Sequence, residues 1–189
     1  MKADPHPWAC VLADLHAEVW LRLTRGVHDR HAPARHPTLA TVSPDGRPQA
    51  RTVVLRAADK AAGTLDIHTD LQSPKVADLR ATPFAALHVW DASAHLQLRL
   101  EAQVTVLTGH DIAAIWDRVP EASRGAYGST PAPGQPIAQA PDYTKAADPA
   151  CFAVLRLDIL MVDALHLGPN HRRARFDREA GWAGVWLAP

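Results

Sequence analysis

The sequence predicts a mainly β protein, an antiparallel barrel with a few peripheral helices. Many short runs of apolar and β-branched residues are separated by turn signals, and few segments carry the 3.6-residue period of a helix. Strands and helices also do not alternate in the way that a parallel α/β sheet requires. At 189 residues the chain is most simply a single domain, residues 1–189, with room for a sizeable core.

Residues 1–36 predict a helix followed by a polar connection. Residues 1–7 are typical of a loose tail, and from Trp8 the apolar residues recur at the spacing of one helical stripe. The stripe consists of Trp8, Val11, Leu12, Leu15, Val19 and Leu23. We expect this helix to cover an open side of the barrel, with Trp20 off the stripe and packed under a neighbouring element or a partner subunit. The connection contains three histidines, His28, His31 and His36. Its prolines break regular spacing, so we predict no metal site there.

The stretch from Pro37 to Lys75 organises the rest of the chain. It contains three predicted strands, residues 38–42, 49–56 and 64–69. The tetrapeptide Ser43-Pro44-Asp45-Gly46 joins the first two, because proline presets φ at its second position and glycine tolerates a left-handed conformation at its last.

A helix start at the end of this stretch predicts a phosphate site. Ser73 and Pro74 have the character of an N-cap and a first-turn proline, and the helix should end near residue 82. Arg51, Arg56 and Lys75 supply cations close to this helix start. Because free backbone N–H groups and the helix dipole add to the side-chain charge, the combination favours an anion.

The second half of the chain predicts further strands joined by short helices. The strands are residues 84–90, 96–107, 151–158, 162–167, 172–176 and 182–187. A capping box of Thr108 and Asp111 predicts a short helix through Val119, and a second short helix covers 120–127. Residues 128–149 are rich in Pro, Gly and Ala and lack an apolar period, which is typical of a mobile loop.

The composition argues against several classes of partner. Lys and Arg number 20 and Asp and Glu number 20, so a formal net charge of zero does not favour a nucleic-acid-binding protein. The sequence has no long apolar run and no signal-peptide pattern, so we expect no membrane association. The two cysteines, Cys10 and Cys151, are isolated, which is typical of reduced thiols in a cytoplasmic protein.

An ordered set of motifs resembles the pyridoxamine 5′-phosphate oxidase-related family of FMN-binding split barrels, and in particular its shorter branch. The motifs are Asp45-Gly46-Arg47-Pro48, the run Arg51-x-Val53-x-Leu55-Arg56, Thr69-Asp70-x-x-Ser73-x-Lys75, Gln97, the run His171 to Phe176 and the terminal Leu187-Ala188-Pro189. The resemblance implies an antiparallel, Greek-key-like split barrel. It also implies FMN as the cofactor and a homodimer with flavin sites at the subunit interface.

The resemblance carries over residue by residue to a candidate site. The implied cofactor-binding residues are Arg51, Thr52, Val53, Val54, Arg56, His68, Thr69, Ser73, Lys75, Gln97 and Arg175. The implied substrate-binding residues are Arg56, Arg118, His171 and Arg173. No catalytic residue and no metal ligand is assigned. Arg51 and Arg56 have opposite parity on an ideal strand, so they point the same way only if a bulge intervenes.

Departures from the family pattern weaken the substrate half of this site. Pro74 stands where the oxidases have an arginine, and Leu165 stands where they have a tryptophan beside the flavin. His171 and Arg173 stand in swapped order, and Ala114 and Ala122 replace a tyrosine and a serine of the segment that grips the substrate phosphate.

The sequence therefore leaves three functional hypotheses. The first is an FMN-dependent oxidoreductase that moves a hydride from a small anionic substrate to FMN. The departures argue against efficient oxidation of pyridoxamine or pyridoxine 5′-phosphate. The alternative is a flavin- or pyridoxal-phosphate-binding module without turnover. The third is haem handling on the same barrel, which ranks last because no histidine stands in a recognisable ligand context.

Overall fold

A computed structural model describes residues 4–189. Its strands are β1 (Thr38–Val42), β2 (Pro48–Thr52), β3 (Leu55–Asp59), β4 (Thr64–Asp70), β5 (Phe84–Asp91), β6 (Leu96–Thr108), β7 (Ser129–Thr130), β8 (Thr144–Lys145), β9 (Phe152–His166), β10 (Arg172–Asp177) and β11 (Gly184–Leu187). Its helices are α1 (Leu12–His28), α2 (Pro74–Ala81), α3 (Ala113–Arg118) and α4 (Glu121–Arg124). All strand pairings in this part of the chain are antiparallel, so the mainly β class is confirmed.

One long strand, β9, organises the main sheet. The strand order is β11-β10-β9-β6-β5-β1-β2, and β4 joins β9 from outside this path together with β3. On one edge β9 pairs with β4 through Asp158 and then with β10 from Met161 onward, while β6 follows its other edge. The sheet is therefore split at β9 and does not close. The prediction of two strands here, 151–158 and 162–167, is wrong, because the chain continues as one strand that absorbs Leu160 in a bulge.

The main core lies between α1 and the sheet. Leu15, Val19 and Leu23 of the predicted stripe are buried, as is Trp20, which is only 2% exposed. Trp20 therefore belongs to the core of its own subunit and offers no face to a partner. The helix begins later than the stripe predicts, since Pro7–Cys10 forms a 3₁₀ turn and Val11 is exposed.

A smaller apolar cluster packs where β9 begins. It joins α3 and α4 to the strand through Ile112, Val119, Tyr127, Phe152 and Val154, with Trp116 packed against them. The predicted capping box is wrong, because the Thr108 side chain makes no capping hydrogen bond and a 3₁₀ turn, Gly109–Ile112, precedes α3.

The predicted strand 49–56 is two strands in the structure. β2 pairs with β1, whereas β3 pairs with β4, and Val53 and Val54 form the break between them. The pairing of β3 with β4 then shifts register between Leu55 and Ala57, which leaves Arg56 at a bulge. The strand break and the bulge together satisfy the condition set by the opposite parity of Arg51 and Arg56, and both residues line one cleft.

Residues 128–149 are more ordered than the sequence predicts. They contain the short pair β7 and β8, and the Gly128 N–H donates to Asp70 Oδ2 over 2.8 Å. This bond fixes the start of the segment to the end of β4. The mobility of the segment stays a prediction.

Two further features of residues 4–189 concern membrane spans and metal sites. No helix there is long and apolar enough to cross a membrane. No group of three or more His, Cys, Asp or Glu side chains in the same residues is arranged to hold a metal ion.

Candidate functional site

A cleft of about 380 Å³ opens where the β2–β3 break, the end of β4 and the start of α2 meet. Its lining residues are Arg51, Thr52, Val53, Val54, Arg56, His68, Thr69, Asp70, Ser73, Lys75, Ala126, Tyr127 and Pro133. Nine of the 11 residues that the sequence assigns to the cofactor are among them. The strand break explains this convergence, because it turns the backbone of Val53 and Val54 along the cleft while leaving Arg51 and Arg56 at its sides.

Hydroxyl groups and a lysine gather at the α2 end of the cleft. The Lys75 ammonium donates to Thr69 Oγ1 over 2.9 Å and to Ser73 Oγ over 3.1 Å. Burial lowers the pKa of Lys75, and the positive charge of Arg51 adds to this effect. Ser73 does occupy the predicted N-cap position of α2, but its hydroxyl does not cap the helix. It contacts Thr69 and Lys75 instead, so the group faces the cleft as a donor set for an anion.

A second cavity, of about 270 Å³, shares Arg56 and His68 with the cleft. Its lining residues are Arg56, Ala57, Asp66, His68, Ile115, Arg118, Val119 and Pro120. Two residues assigned to the substrate, Arg56 and Arg118, therefore line one cavity. Asp66 also lines it, and its carboxylate is held by Arg156 through bonds of 2.9 and 3.0 Å.

Arg56 lies at the junction of the two cavities with an unsatisfied donor. Its Nε is buried and has no hydrogen-bond partner within residues 4–189. A buried N–H group without an acceptor is costly, and ligand atoms are one way to satisfy it. This observation supports a site that a ligand with acceptor atoms completes.

His68 is a neutral imidazole at the same junction. Burial lowers the pKa of His68 to about 4, with a further contribution from the Arg56 charge. Its ring packs edge-on against Phe152, with 5.0 Å between the ring centroids. A neutral histidine can both donate and accept a hydrogen bond, which suits contact with a polar ligand at neutral pH.

Tyr127 is a wall residue that sequence reasoning missed. It is 5% exposed and packs against Phe152, and burial raises its pKa while the nearby Arg56 opposes that shift. It comes from the segment after α4, so only the tertiary fold brings it to the cleft. Nothing in the sequence around Tyr127 distinguishes it from an ordinary core tyrosine.

The remaining predicted site residues lie elsewhere on the chain. Gln97 on β6 is opposite Leu165, which in turn is opposite Arg173 on β10, so these residues form a cross-strand row. Arg173 is held by Asp163 through bonds of 2.7, 3.1 and 3.2 Å. None of Gln97, His171, Arg173 and Arg175 lines either cavity. Within one chain the predicted site residues therefore fall into two groups. The cleft set consists of those that line the cleft, and the β6–β10 set consists of Gln97, His171, Arg173 and Arg175.

Comparison with known proteins shows which family the chain resembles. Residues 17–108 match the family model described as pyridoxamine 5′-phosphate oxidase, FMN-binding domain. A pyridoxine/pyridoxamine 5′-phosphate oxidase from Cyanothece sp. is 37% identical over 153 residues, which cover 80% of this chain and 62% of the relative. The same enzyme from Mycolicibacterium paratuberculosis is 37% identical over 92 residues, 48% of this chain and 41% of the relative. The chain thus matches less than half of the length of the first curated relatives.

Solved structures share the fold over the whole chain. A pyridoxamine 5′-phosphate oxidase-related, FMN-binding protein from Nostoc punctiforme superposes with a TM-score of 0.76 at 26% identity, with 100% of each chain covered. The chain is related to the pyridoxamine 5′-phosphate oxidase-related FMN-binding split barrels. PhzG from Burkholderia lata, with 18% identity, a TM-score of 0.69 and coverage of 100% of this chain and 98% of its own, shares the fold. The expected split barrel with peripheral helices is confirmed.

The lowered pKa of His68 predicts a pH-dependent stability. The pKa lies near 4 in the folded chain and near 6.5 in an unfolded one, so between these values the unfolded chain binds more protons and acid favours unfolding. We expect the urea midpoint of the wild type to fall more between pH 7 and pH 5 than that of His68→Gln. The exposed His110→Gln serves as the matched control and should behave like the wild type. Identical pH slopes for the wild type and His68→Gln would contradict the assignment.

Proposed function

We propose that the chain binds FMN in the cleft and is an FMN-dependent oxidoreductase acting on a small anionic substrate. One observation carries the proposal: residues that the family resemblance assigns to the cofactor from separate motifs line one cleft. FMN, when bound, supplies a two-electron acceptor for a hydride. The cysteines are free thiols, which fits a cytoplasmic location.

The α2 end of the cleft suits the cofactor phosphate. Arg51 and Lys75 supply positive charge there, and the hydroxyls of Thr69 and Ser73 supply further donors. A charged group that leaves water needs such paired donors, because an unpaired buried charge is expensive. The backbone of Val53 and Val54 and the side chain of Arg56 then line the remainder of the cleft, where a planar ring system would lie.

The second cavity suits the substrate. Arg56 and Arg118 give it a cationic lining, and His68 places a neutral imidazole between it and the cleft. The aromatic cluster of Tyr127, Phe152 and Trp116 packs behind this junction and limits the access of water from that side. The protein's contribution is thus to bind the anion, orient it against the cofactor and keep the junction dry.

The same cavity is poorly equipped for pyridoxamine 5′-phosphate. Ala114 and Ala122 carry no side-chain donor and do not line the cavity, where the resemblance implies a tyrosine and a serine that grip the substrate phosphate. In the other set, Arg173 is already neutralised by the buried Asp163, so it has less charge to offer a phosphate. These features favour a different anionic substrate.

We further propose a homodimer that unites the two sets of site residues. The outer face of β5 exposes Phe84 and Trp90, which are 53% and 44% exposed, and β11 adds Val185 and Leu187. Large exposed apolar faces of this kind are typical of subunit interfaces. A partner that covers this face would lie against the β6–β10 set and so place Gln97 and Arg175 near a second chain.

Removal of the phosphate-end cations tests FMN binding. Arg51→Ala/Lys75→Ala should weaken FMN by about two to four orders of magnitude, because two charge-assisted interactions worth roughly 1.5–3 kcal/mol each are lost. Titration of the protein into free flavin, followed by fluorescence quenching, measures the affinity. Arg47→Ala/Lys60→Ala removes the same charge from exposed positions and should bind FMN normally. Equal FMN affinity in both double variants would place the flavin elsewhere.

Flavin reduction tests the substrate. With FMN bound and oxygen excluded, saturating pyridoxamine 5′-phosphate should bleach the flavin slowly or not at all. Ala114→Tyr/Ala122→Ser should strengthen binding of that compound by about tenfold or more, since it restores the two donors that the family resemblance implies for the substrate phosphate. Rapid bleaching in the wild type would show that the cavity needs no further donors. A flavin that no anionic reductant bleaches would favour the alternative, a flavin-binding module without turnover.

Sedimentation velocity tests the dimer. The wild type should sediment as a dimer at micromolar concentration, and Phe84→Glu should shift it toward monomer because it places a charge in an apolar interface. Leu21→Glu is the matched control, since Leu21 is 61% exposed on α1, away from the sheet face. A monomeric wild type would exclude the two-subunit site.

A further inference from the structure

A buried carboxylate and hydroxyl hold Arg51 from behind the cleft. Asp78 on α2 and Thr41 on β1 are 4% and 3% exposed. The Thr41 hydroxyl donates to Asp78 Oδ2 over 2.7 Å. Arg51 Nη1 donates to Thr41 Oγ1 over 2.6 Å, and Arg51 Nη2 lies 3.4 Å from Asp78 Oδ2. The three side chains therefore form one network across β1, β2 and α2.

Only Arg51 of this network lines the cleft. Arg51 and Lys75 line the cleft, whereas neither Asp78 nor Thr41 does. Asp78 lies three residues after Lys75, which places the two on neighbouring positions of the helix surface. Arg51 is opposite Leu39 in the β1–β2 pairing, yet its guanidinium extends to Thr41 and also donates to the Leu39 carbonyl over 3.3 Å. Its position is thus fixed by several acceptors on one side.

We propose that Asp78 and Thr41 are positioning residues that hold the Arg51 guanidinium ready for the phosphate of the cofactor. This role rests on the proposed function, because it presumes that the cleft takes a phosphate-bearing flavin. Arginine has a long, flexible side chain, and fixing its planar fork before binding lowers the entropy lost on binding. The position of Arg51 matters more in this chain, because Pro74 stands where the family resemblance implies a further arginine for the phosphate.

Two opposing effects of the carboxylate must be separated. Asp78 orients Arg51, which favours phosphate binding, but its negative charge also offsets the Arg51 charge, which disfavours it. An asparagine keeps an acceptor oxygen for Thr41 and Arg51 and removes the charge, whereas an alanine removes both. Positioning therefore predicts that the two substitutions differ, and that the asparagine is the better tolerated.

The test compares FMN with riboflavin, which has the same ring system and no phosphate. Asp78→Ala and Thr41→Val should each weaken FMN by about tenfold and leave riboflavin unchanged, because the loss of one oriented hydrogen-bonding group falls on the phosphate alone. Asp78→Asn should bind FMN within about threefold of the wild type, or more tightly. Thr41→Val also covers the case in which Asp78→Ala fails to fold, since it keeps the buried charge pair.

Asp91→Asn is the matched control for a merely structural role. Asp91 is likewise 4% exposed and paired with an arginine, but that arginine, Arg22, lines neither cavity, whereas Arg51 lines the cleft. Its loss should lower the thermal midpoint without changing the ratio of FMN to riboflavin affinity. Equal weakening of both flavins by Asp78→Ala, unchanged or tighter FMN binding in that variant, or equal losses in Asp78→Asn and Asp78→Ala would each overturn the positioning role. A wild type that binds neither flavin would instead refute the proposed function and this role with it.

Discussion

The structure depends on one strand that changes partners. An antiparallel strand has two hydrogen-bonding edges, and β9 uses one of them for β6 over almost its full length. The other edge serves β4 first and β10 afterwards, with the bulge at Leu160 close to the change. This arrangement puts the end of β4, and with it His68, Thr69 and the start of α2, on one part of the sheet. It puts β10, with Arg173 and Arg175, on the other part.

Most buried negative charges in this chain of zero formal net charge are balanced by a neighbouring positive charge. Within residues 4–189, four of the five buried aspartates pair with an arginine: Asp78 with Arg51, Asp163 with Arg173, Asp66 with Arg156 and Asp91 with Arg22. The fifth, Asp70, accepts hydrogen bonds from the backbone N–H groups of Gln72 and Gly128 instead. A buried carboxylate needs such a partner, because desolvation of an isolated charge is costly. At the cleft the pairing has a second effect, since it orients a cation while reducing its net charge. A formal charge of zero is therefore compatible with a local anion site.

Turn and helix-start signals in the sequence predicted those elements whose limits are set by residues close to them in the chain. Strand 38–42 matches β1, and Ser73-Pro74 marks the start of α2, because turn and cap preferences act within a few residues. The break at Val53 and Val54 escaped prediction because a valine-rich run has no turn signal. It arises because β2 and β3 pair with different strands, which is a tertiary effect. The roles of Tyr127 and Asp78 escaped for the same reason: each gains its contacts from elements distant in sequence.

The change of partner along β9 also gives the cleft set and the β6–β10 set separate supports within one sheet. The match to the family model ends at residue 108, where β6 ends, and it includes β1 to β4 and α2 but not β10. Because β4 and β10 contact different lengths of β9, substitutions on one part need not disturb the register of the other. Residues of the β6–β10 set can therefore be exchanged while β4 and the start of α2 keep their support on β9. Such a sheet is suited to changing the residues at one end of a site while those at the other end keep their positions.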